Sequence, residues 1–272
     1  MKVAILDDYQ NVAFAMADWS SVAEITVFND HVADLDTLVE RLRPFDVICV
    51  MRERTPLPRD VIERLPRLKL IASTGSRNAS IDMAAAEERG IRVAATGYRS
   101  TPTIEMTWAL ILASARNIVL ESNSVRHGGW QTSIGSELGG RTLGVLGLGN
   151  IGAQVARVGL AFGMKVIAWS QNMTAEVAKA AGATLVAKDE LFREADVVTI
   201  HLVLSARTRG LVGATELALM KPGALLVNTS RGPLVDSDAL VAALNAADAR
   251  RARSATESPG IRGSAETTSR AV

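Results

Sequence analysis

The residues best suited to chemistry in this chain of 272 residues are three glycines at fixed spacing. Gly147, Gly149 and Gly152 lie in Thr142-Leu-Gly-Val-Leu-Gly-Leu-Gly-Asn-Ile-Gly-Ala153. An apolar run, Leu143 to Leu146, leads into them. A helix-period pattern with Val155, Val158, Leu160 and Phe162 follows, and a second apolar run, Lys165 to Trp169, comes after it. A bare glycine triplet says little. Strand, triplet, helix and strand in that order predict a dinucleotide-binding βαβ unit. In such a unit Gly147 permits the tight turn off the strand, Gly149 leaves room for a pyrophosphate against the backbone, and Gly152 lets the helix pack closely. The helix start, at Asn150 and Ile151, offers free N–H groups and a partial positive charge to the phosphates. The competing reading, a glycine-rich turn without a ligand, has to meet several independent requirements by coincidence.

The elements that must hold this motif are legible as alternation. Before it come candidate strands at Val3–Leu6, Glu24–Phe28, Asp46–Val50, Leu68–Ser73 and Ile91–Ala95, with helix-period stretches such as Leu35–Leu42 and Ile81–Glu88 between them. A second set runs Leu143–Leu146, Lys165–Trp169, Thr184–Val186, Asp196–Ile200 and Ala224–Asn228. Short apolar strands alternating with helices predict parallel sheets covered by helices, an α/β fold. One long helix is expected from about Thr101 to Arg126, starting at Ser100-Thr-Pro102, stopping at His127-Gly-Gly129 and linking two domains.

Composition is that of a globular chain, with 48% hydrophobic and 22% charged residues. A net charge of +1 gives no electrostatic case for nucleic acid or an anionic membrane. Cys49, the one cysteine, excludes an intrachain disulfide and reads as core filler. No apolar run approaches the roughly 18 residues that a membrane span needs. The expected location is cytoplasmic, and no metal site is read.

Four blocks carry a family resemblance. They are Arg67-Leu-Lys-Leu-Ile-Ala-Ser-Thr-Gly75 with Ile81-Asp-Met-Ala-Ala-Ala86; Ile104-Glu-Met-Thr-Trp-Ala-Leu-Ile-Leu-Ala113; the glycine motif; and His201-Leu-Val-Leu204 through Met220-Lys-Pro-Gly-Ala-Leu-Leu-Val-Asn-Thr-Ser-Arg-Gly-Pro-Leu-Val-Asp236. In order and spacing the chain resembles the D-isomer-specific 2-hydroxyacid dehydrogenases over about residues 1–246. The resemblance implies two doubly wound parallel-sheet domains. Residues 1–98 would form a flavodoxin-like substrate domain, and 99–248 a Rossmann NAD(P)-binding domain beginning with the long helix. Residues 249–272 would be an aberrant, disordered tail, leaving the fold C-terminally incomplete.

The implied chemistry is hydride transfer between a nicotinamide and C2 of a small 2-hydroxy or 2-keto acid. The family's arginine, which grips the substrate carboxylate, maps to Arg231 in Asn228-Thr-Ser-Arg-Gly232. Its glutamate and acid–base histidine, expected further on, have no counterpart. From Asp248 the chain runs Asp-Ala-Arg-Arg-Ala-Arg-Ser with no histidine beyond, a composition that suggests a shifted reading frame or a basic tail. The three histidines, His31, His127 and His201, all lie elsewhere. His201 reads either as lining the cofactor site or as a buried core histidine.

The resemblance also assigns Thr229 to the cofactor. Ser170 stands where an NAD site has an acidic ribose ligand, with no arginine at 171 or 172 to attract a 2′-phosphate. NAD is therefore the expected cofactor, with NADP possible; Arg193 or Lys179 would favour NADP if folding brought either close. On the substrate side Gly75, Ser76 and Arg77 align with a carboxylate-binding loop. Arg52 and Arg54 lie on a second loop, and Arg52, Arg54 and Arg77 are candidates for a further anionic group. Glu105 is expected to tie the long helix to a loop. A homodimer through the long helix and its following loop is the implied assembly, and a non-catalytic dinucleotide-binding protein is the alternative function.

Overall fold

The computed structural model describes residues 1–246 except 23, 76 and 77. The tail expected at 249–272 lies outside the described residues. The chain divides into two compact units between Arg99 and Ser100.

The first unit runs β1 (Lys2–Ile5), α1 (Ala13–Met16), β2 (Glu24–Val27), α2 (Leu35–Leu42), β3 (Val47–Val50), α3 (Arg59–Glu63), β4 (Leu70–Ser73), α4 (Met83–Glu88) and β5 (Arg92–Ala95). Its sheet is parallel throughout, in the order β2-β1-β3-β4-β5. This is the flavodoxin-like order, with its reversal between β1 and β3. One face is covered by α2, α3 and α4, which bury Leu38, Val39, Leu42, Val61, Ile62, Ala85 and Ala86 against Ile48 and Ile71. The other face carries a smaller cluster of Val3, Ile5 and Val47, against which Trp19 and Cys49 pack. Burial pushes the Cys49 thiol up, so it stays protonated.

The second unit runs α5 (Thr101–Ala115), α6 (Ile118–Arg126), β6 (Thr142–Leu146), α7 (Asn150–Ala161), β7 (Lys165–Trp169), α8 (Ala175–Ala180), β8 (Thr184–Leu185), α9 (Lys188–Glu194), β9 (Val197–Ile200), α10 (Ala214–Leu219) and β10 (Leu225–Asn228). Residues 237–246 are helical. The sheet is parallel, in the order β10-β9-β6-β7-β8. In order of appearance the strands lie 3-2-1-4-5, the Rossmann arrangement, with its reversal between β6 and β9. Strand alternation distributes β6 between two layers. Leu143 and Val145 face the α5, α7 and α8 side, and Leu146 faces the α9 and α10 side. Gly144 lies against α9 so closely that a Cβ there would fall 2.8 Å from the Ala195 Cβ.

The single long helix expected from Thr101 to Arg126 is two helices. The chain bends by 64° between α5 and α6. Asn117 takes left-handed backbone angles, φ 53° and ψ 34°, at the break. Asparagine tolerates that region better than other side chains bearing a Cβ. No single helix among the described residues is long and apolar enough to cross a membrane.

The two sheets share a device at the amino end of their first strands. Asp46 accepts the backbone N–H of Lys2 at 2.8 Å, and Asp196 accepts that of Thr142 at the same distance. Each aspartate also meets a cation, Arg67 and Lys221 respectively.

The turn after β6 depends on missing Cβ atoms. At Gly147 φ is +99°, and a Cβ would lie 2.7 Å from the His201 carbonyl oxygen. A Cβ at Gly152 would overlap the carbonyl oxygen of Gly147. The expectation of close helix packing at Gly152 thus has a specific object, the backbone of the turn itself. Gly152→Ala is predicted to lower stability by about 1–3 kcal/mol or more, because backbone must move. Denaturant unfolding measures this. Gly149→Ala is the control and should unfold like the parent, since no atom lies within 4 Å of a Cβ there. Equal stability of the two variants would show that the turn does not need the close approach.

Candidate active site

The carboxyl ends of β6, β9 and β10 lie side by side, because those strands are neighbours in the sheet. Three segments emerge there: the glycine turn, His201, and the turn that carries Arg231. This is the edge where open α/β sheets bind ligands.

The glycine turn ends in α7, twelve residues long, whose start carries no side-chain cap. Uncapped N–H groups and the helix dipole make such a start a binding point for anions. Gly149 opens onto space, in contrast to Gly147 and Gly152, whose Cβ positions are filled by protein. Two of the three glycines are therefore required by the fold, and the third leaves a vacant approach to the backbone. That approach fits the pyrophosphate of a dinucleotide. Asn150 is braced by Gln154, whose amide nitrogen lies 3.0 Å from the Asn150 carbonyl oxygen and 3.1 Å from its side-chain oxygen. Ile151 turns its side chain to the core, so it can offer a ligand only its backbone N–H. Gln154 was not singled out from the sequence. Its signal was a polar residue one turn after Asn150.

His201 follows β9. Its backbone N–H donates to the Leu146 carbonyl at 2.8 Å, which holds it beside the turn. Its Nε2 lies 2.9 Å from the buried Thr199 hydroxyl. Its Nδ1 is buried and has no protein partner among the described residues. Burial pushes the imidazole down to about 4, so it is neutral at physiological pH. Burial and the Thr199 contact fit the core-histidine reading, and the orphaned Nδ1 leaves the cofactor-lining reading open.

The Arg231 turn is held by its own side chains. Asn228 Nδ2 donates to the Arg231 carbonyl at 2.9 Å, and Asn228 Oδ1 accepts the Ser230 N–H at 3.0 Å. The Ser230 hydroxyl donates to the Ile200 carbonyl at 2.9 Å, tying this turn to the end of β9. The Arg231 guanidinium folds back to the Ser230 carbonyl at 3.0 Å. The Thr229 hydroxyl lies 2.8 Å from that of Thr107 on α5. Ser170 closes β7 and accepts the Met173 N–H through its carbonyl. Of the two cations considered for a 2′-phosphate, Arg193 is drawn to Asp189 at 3.6 Å, and Lys179 sits in the last turn of α8.

The substrate-loop candidates belong to the first unit. Gly75 has φ +92°, and a Cβ would lie 2.8 Å from an Arg52 guanidinium nitrogen. Its N–H donates to the Thr96 hydroxyl at 2.8 Å. Arg52 is itself left-handed, φ 55°, with its guanidinium 5.3 Å from the Tyr98 ring centroid. Ser76 and Arg77 lie outside the described residues. Arg54 is engaged by the Asp7 carbonyl at 2.8 Å and by the Tyr9 ring. His31 pairs with the buried Asp7 carboxylate at 3.0 Å, and His127 with the Asn123 carbonyl at 2.8 Å. Glu105, expected to tie α5 to a loop, is exposed, and its carboxylate makes no hydrogen bond or ion pair with a described residue.

A histidine held neutral by burial makes stability depend on pH. Its folded value, about 4, lies below the ordinary 6.5. The unfolded chain therefore binds the extra proton first as pH falls. The contribution of His201 is fully present above 6.5 and is lost as pH falls from there towards 4. Denaturant unfolding of the parent and His201→Gln across that window should show a steeper decline in the parent. Parallel curves would contradict the buried neutral imidazole.

Comparison with known proteins agrees with this geometry. Residues 108–254 match the D-isomer specific 2-hydroxyacid dehydrogenase, NAD binding domain family. The chain is 41% identical over 220 residues to a glyoxylate reductase of Aeropyrum pernix, covering 77% of this chain and 65% of that protein. The matched stretch thus spans a little under two thirds of that relative. Among solved structures, a phosphoglycerate oxidoreductase from Vibrio cholerae is 40% identical with a TM-score of 0.86, covering 91% of this chain and 81% of that one. A D-lactate dehydrogenase from Aquifex aeolicus, solved with NAD and lactic acid, is 26% identical with a TM-score of 0.72, covering 96% and 82%. The cofactor that this domain takes is NAD, and the chain belongs to the D-isomer specific 2-hydroxyacid dehydrogenase family.

Proposed function

We propose that this chain binds NAD(H) at the carboxyl edge of the second sheet and is built for oxidoreduction at C2 of a small 2-hydroxy or 2-keto acid. The observation that carries the proposal is the placement of an open glycine cradle and an arginine turn at one sheet edge, on the two strands that flank β9, β6 and β10. When bound, the nicotinamide supplies or accepts the hydride. The protein's own residues hold and orient. Gly147, Gly149, Asn150, Ile151 and Gly152 would cradle the pyrophosphate through backbone N–H groups. Ser170 would meet the adenosine ribose, and His201 Nδ1 and Thr229 would face the nucleotide. With no cation at 171 or 172, NAD is favoured over NADP.

Arg231 would take the substrate carboxylate through its planar fork. By the family resemblance, Arg52, Gly75, Ser76 and Arg77 are proposed as further substrate-binding residues. The relative described as a glyoxylate reductase supports a small 2-keto acid as substrate. On this reading the family's glutamate and acid–base histidine find no counterpart in this sequence, and no positioned acid would deliver a proton to the substrate oxygen. General acid–base catalysis contributes roughly 10²–10⁴-fold. Activity of this chain is accordingly proposed to be impaired, and dinucleotide binding without turnover is the alternative reading.

A homodimer is part of the proposal. Ile118, Val119, Val125, Trp130 and Ile134 are large apolar side chains left exposed in one segment, Ile134 at 96%. Such a concentration marks an interaction surface. Sedimentation equilibrium should give a dimer for the parent and a monomer for Ile134→Asp; a monomeric parent would refute the assembly.

Two measurements test the function. Fluorescence titration should show NADH binding the parent more tightly than NADPH, and binding at least about tenfold weaker in Gly149→Val, whose side chain fills the phosphate approach. Unchanged affinity in that variant would remove the cradle. Keto-acid-dependent NADH oxidation by the purified chain, with glyoxylate or hydroxypyruvate, should stay below about one turnover per second, under the ordinary enzyme range. A faster rate would show that another group supplies the proton.

A further inference from the structure

Thr107 is the one hydroxyl among the buried residues of α5, where Trp108, Ile111 and Ala115 accompany it. It is fully buried. Its hydroxyl lies 2.8 Å from the Thr103 carbonyl oxygen and 2.8 Å from the Thr229 hydroxyl. Bonding back to the carbonyl four residues earlier is common for threonine in helices and explains the first contact alone. The second reaches 122 residues along the chain to the turn that carries Arg231.

Proton bookkeeping fixes the direction of the pair. A hydroxyl has one proton and two lone pairs. The Thr103 carbonyl can only accept, so the Thr107 proton goes there. The Thr107 oxygen then accepts from Thr229. The Thr229 proton is committed to Thr107, and its remaining lone pairs can only accept.

We propose that Thr107 is a positioning residue for the active site: it sets Thr229 as a pure acceptor and anchors the Asn228–Arg231 turn to α5. A ligand group that meets Thr229 must then be a donor, an amide N–H or a hydroxyl. This rests on the nucleotide site proposed above. Of the bonds that fix the turn, those from Asn228 and Ser230 run within it or to β9. The Thr107 bond is the one among these that reaches a helix.

The test uses the full chain with Thr107→Val, which removes the hydroxyl at nearly constant volume, and Thr107→Ser, which keeps it. Hydrogen–deuterium exchange without ligand is the first readout. Exchange in the Asn228–Arg231 turn should rise roughly tenfold in Thr107→Val, as loss of one net hydrogen bond allows. It should return to the parent rate in Thr107→Ser, while β6 and β9 stay protected in both. Exchange that rises throughout the unit, or nowhere, overturns the proposal, because a purely structural threonine would act globally or not at all. NADH titration is the second readout. The dissociation constant should rise roughly tenfold in Thr107→Val, again the scale of one hydrogen bond, and recover in Thr107→Ser. The Thr107→Val effect should vanish in a Thr229→Val background, and its persistence there overturns the coupling. Should Thr107→Val not fold, Thr229→Val read by exchange against Thr229→Ser probes the same bond from its other side, with the same outcomes expected. A parent that binds no NADH refutes the nucleotide site, while the exchange result still decides whether Thr107 holds the turn.

Discussion

A Cβ at residue 152 would occupy the place of the Gly147 carbonyl oxygen, and the arrangement of the second unit follows from that close approach. Because α7 starts against the backbone of the turn, its first N–H groups are left at the carboxyl edge of the sheet. The turn also lies close to the end of β9, where a Cβ at Gly147 would crowd the His201 carbonyl and the Leu146 carbonyl takes the His201 N–H. The Ser230 hydroxyl then carries the linkage on to β10. Turn geometry and the position of Arg231 thus belong to one connected set of backbone contacts and a single side-chain bond. A long side chain at either glycine would break the set at its origin, whereas Gly149 bears no such load and faces open space.

The two units reach similar layers by different windings. In both, an aspartate opens an inner strand by accepting the first N–H of its neighbour: Asp46 for Lys2, and Asp196 for Thr142. Asp196 shows the balance involved. Burial raises its pKa, but the Thr142 N–H and Lys221 outweigh that and hold the carboxyl below its usual range. The difference lies in where the winding reverses, between β1 and β3 in one sheet and between β6 and β9 in the other.

Much of the fold was legible because parallel strands are covered on both faces and read as continuous apolar runs. Lys165–Trp169 and Leu35–Leu42 have the boundaries expected of them, and the other expected strands differ by one or two residues at their ends. The break at Asn117 was not legible. Arg116-Asn117 holds neither proline nor glycine, and a lone asparagine, though it tolerates the left-handed region, is too common in helices to mark a break. The glycine spacing identified the turn, but the sequence could not divide the glycines by cause. That division needed the distances from each Cβ position to its neighbours. For His201 the sequence leaves two alternatives; burial fits the core reading, and the orphaned nitrogen leaves the cofactor reading open. The Thr107–Thr229 bond left no local signal beyond a hydroxyl on an apolar helix face, since its partners lie far apart in sequence.

Everything proposed for the second unit turns on whether the backbone at the start of α7 receives the phosphates of NAD(H). Backbone ¹⁵N–¹H chemical shifts followed during NADH titration decide this. The amides of Gly149, Asn150, Ile151 and Gly152 should move together and saturate with the same affinity as the nucleotide fluorescence. Saturating binding that leaves those four amides in place would contradict the phosphate cradle.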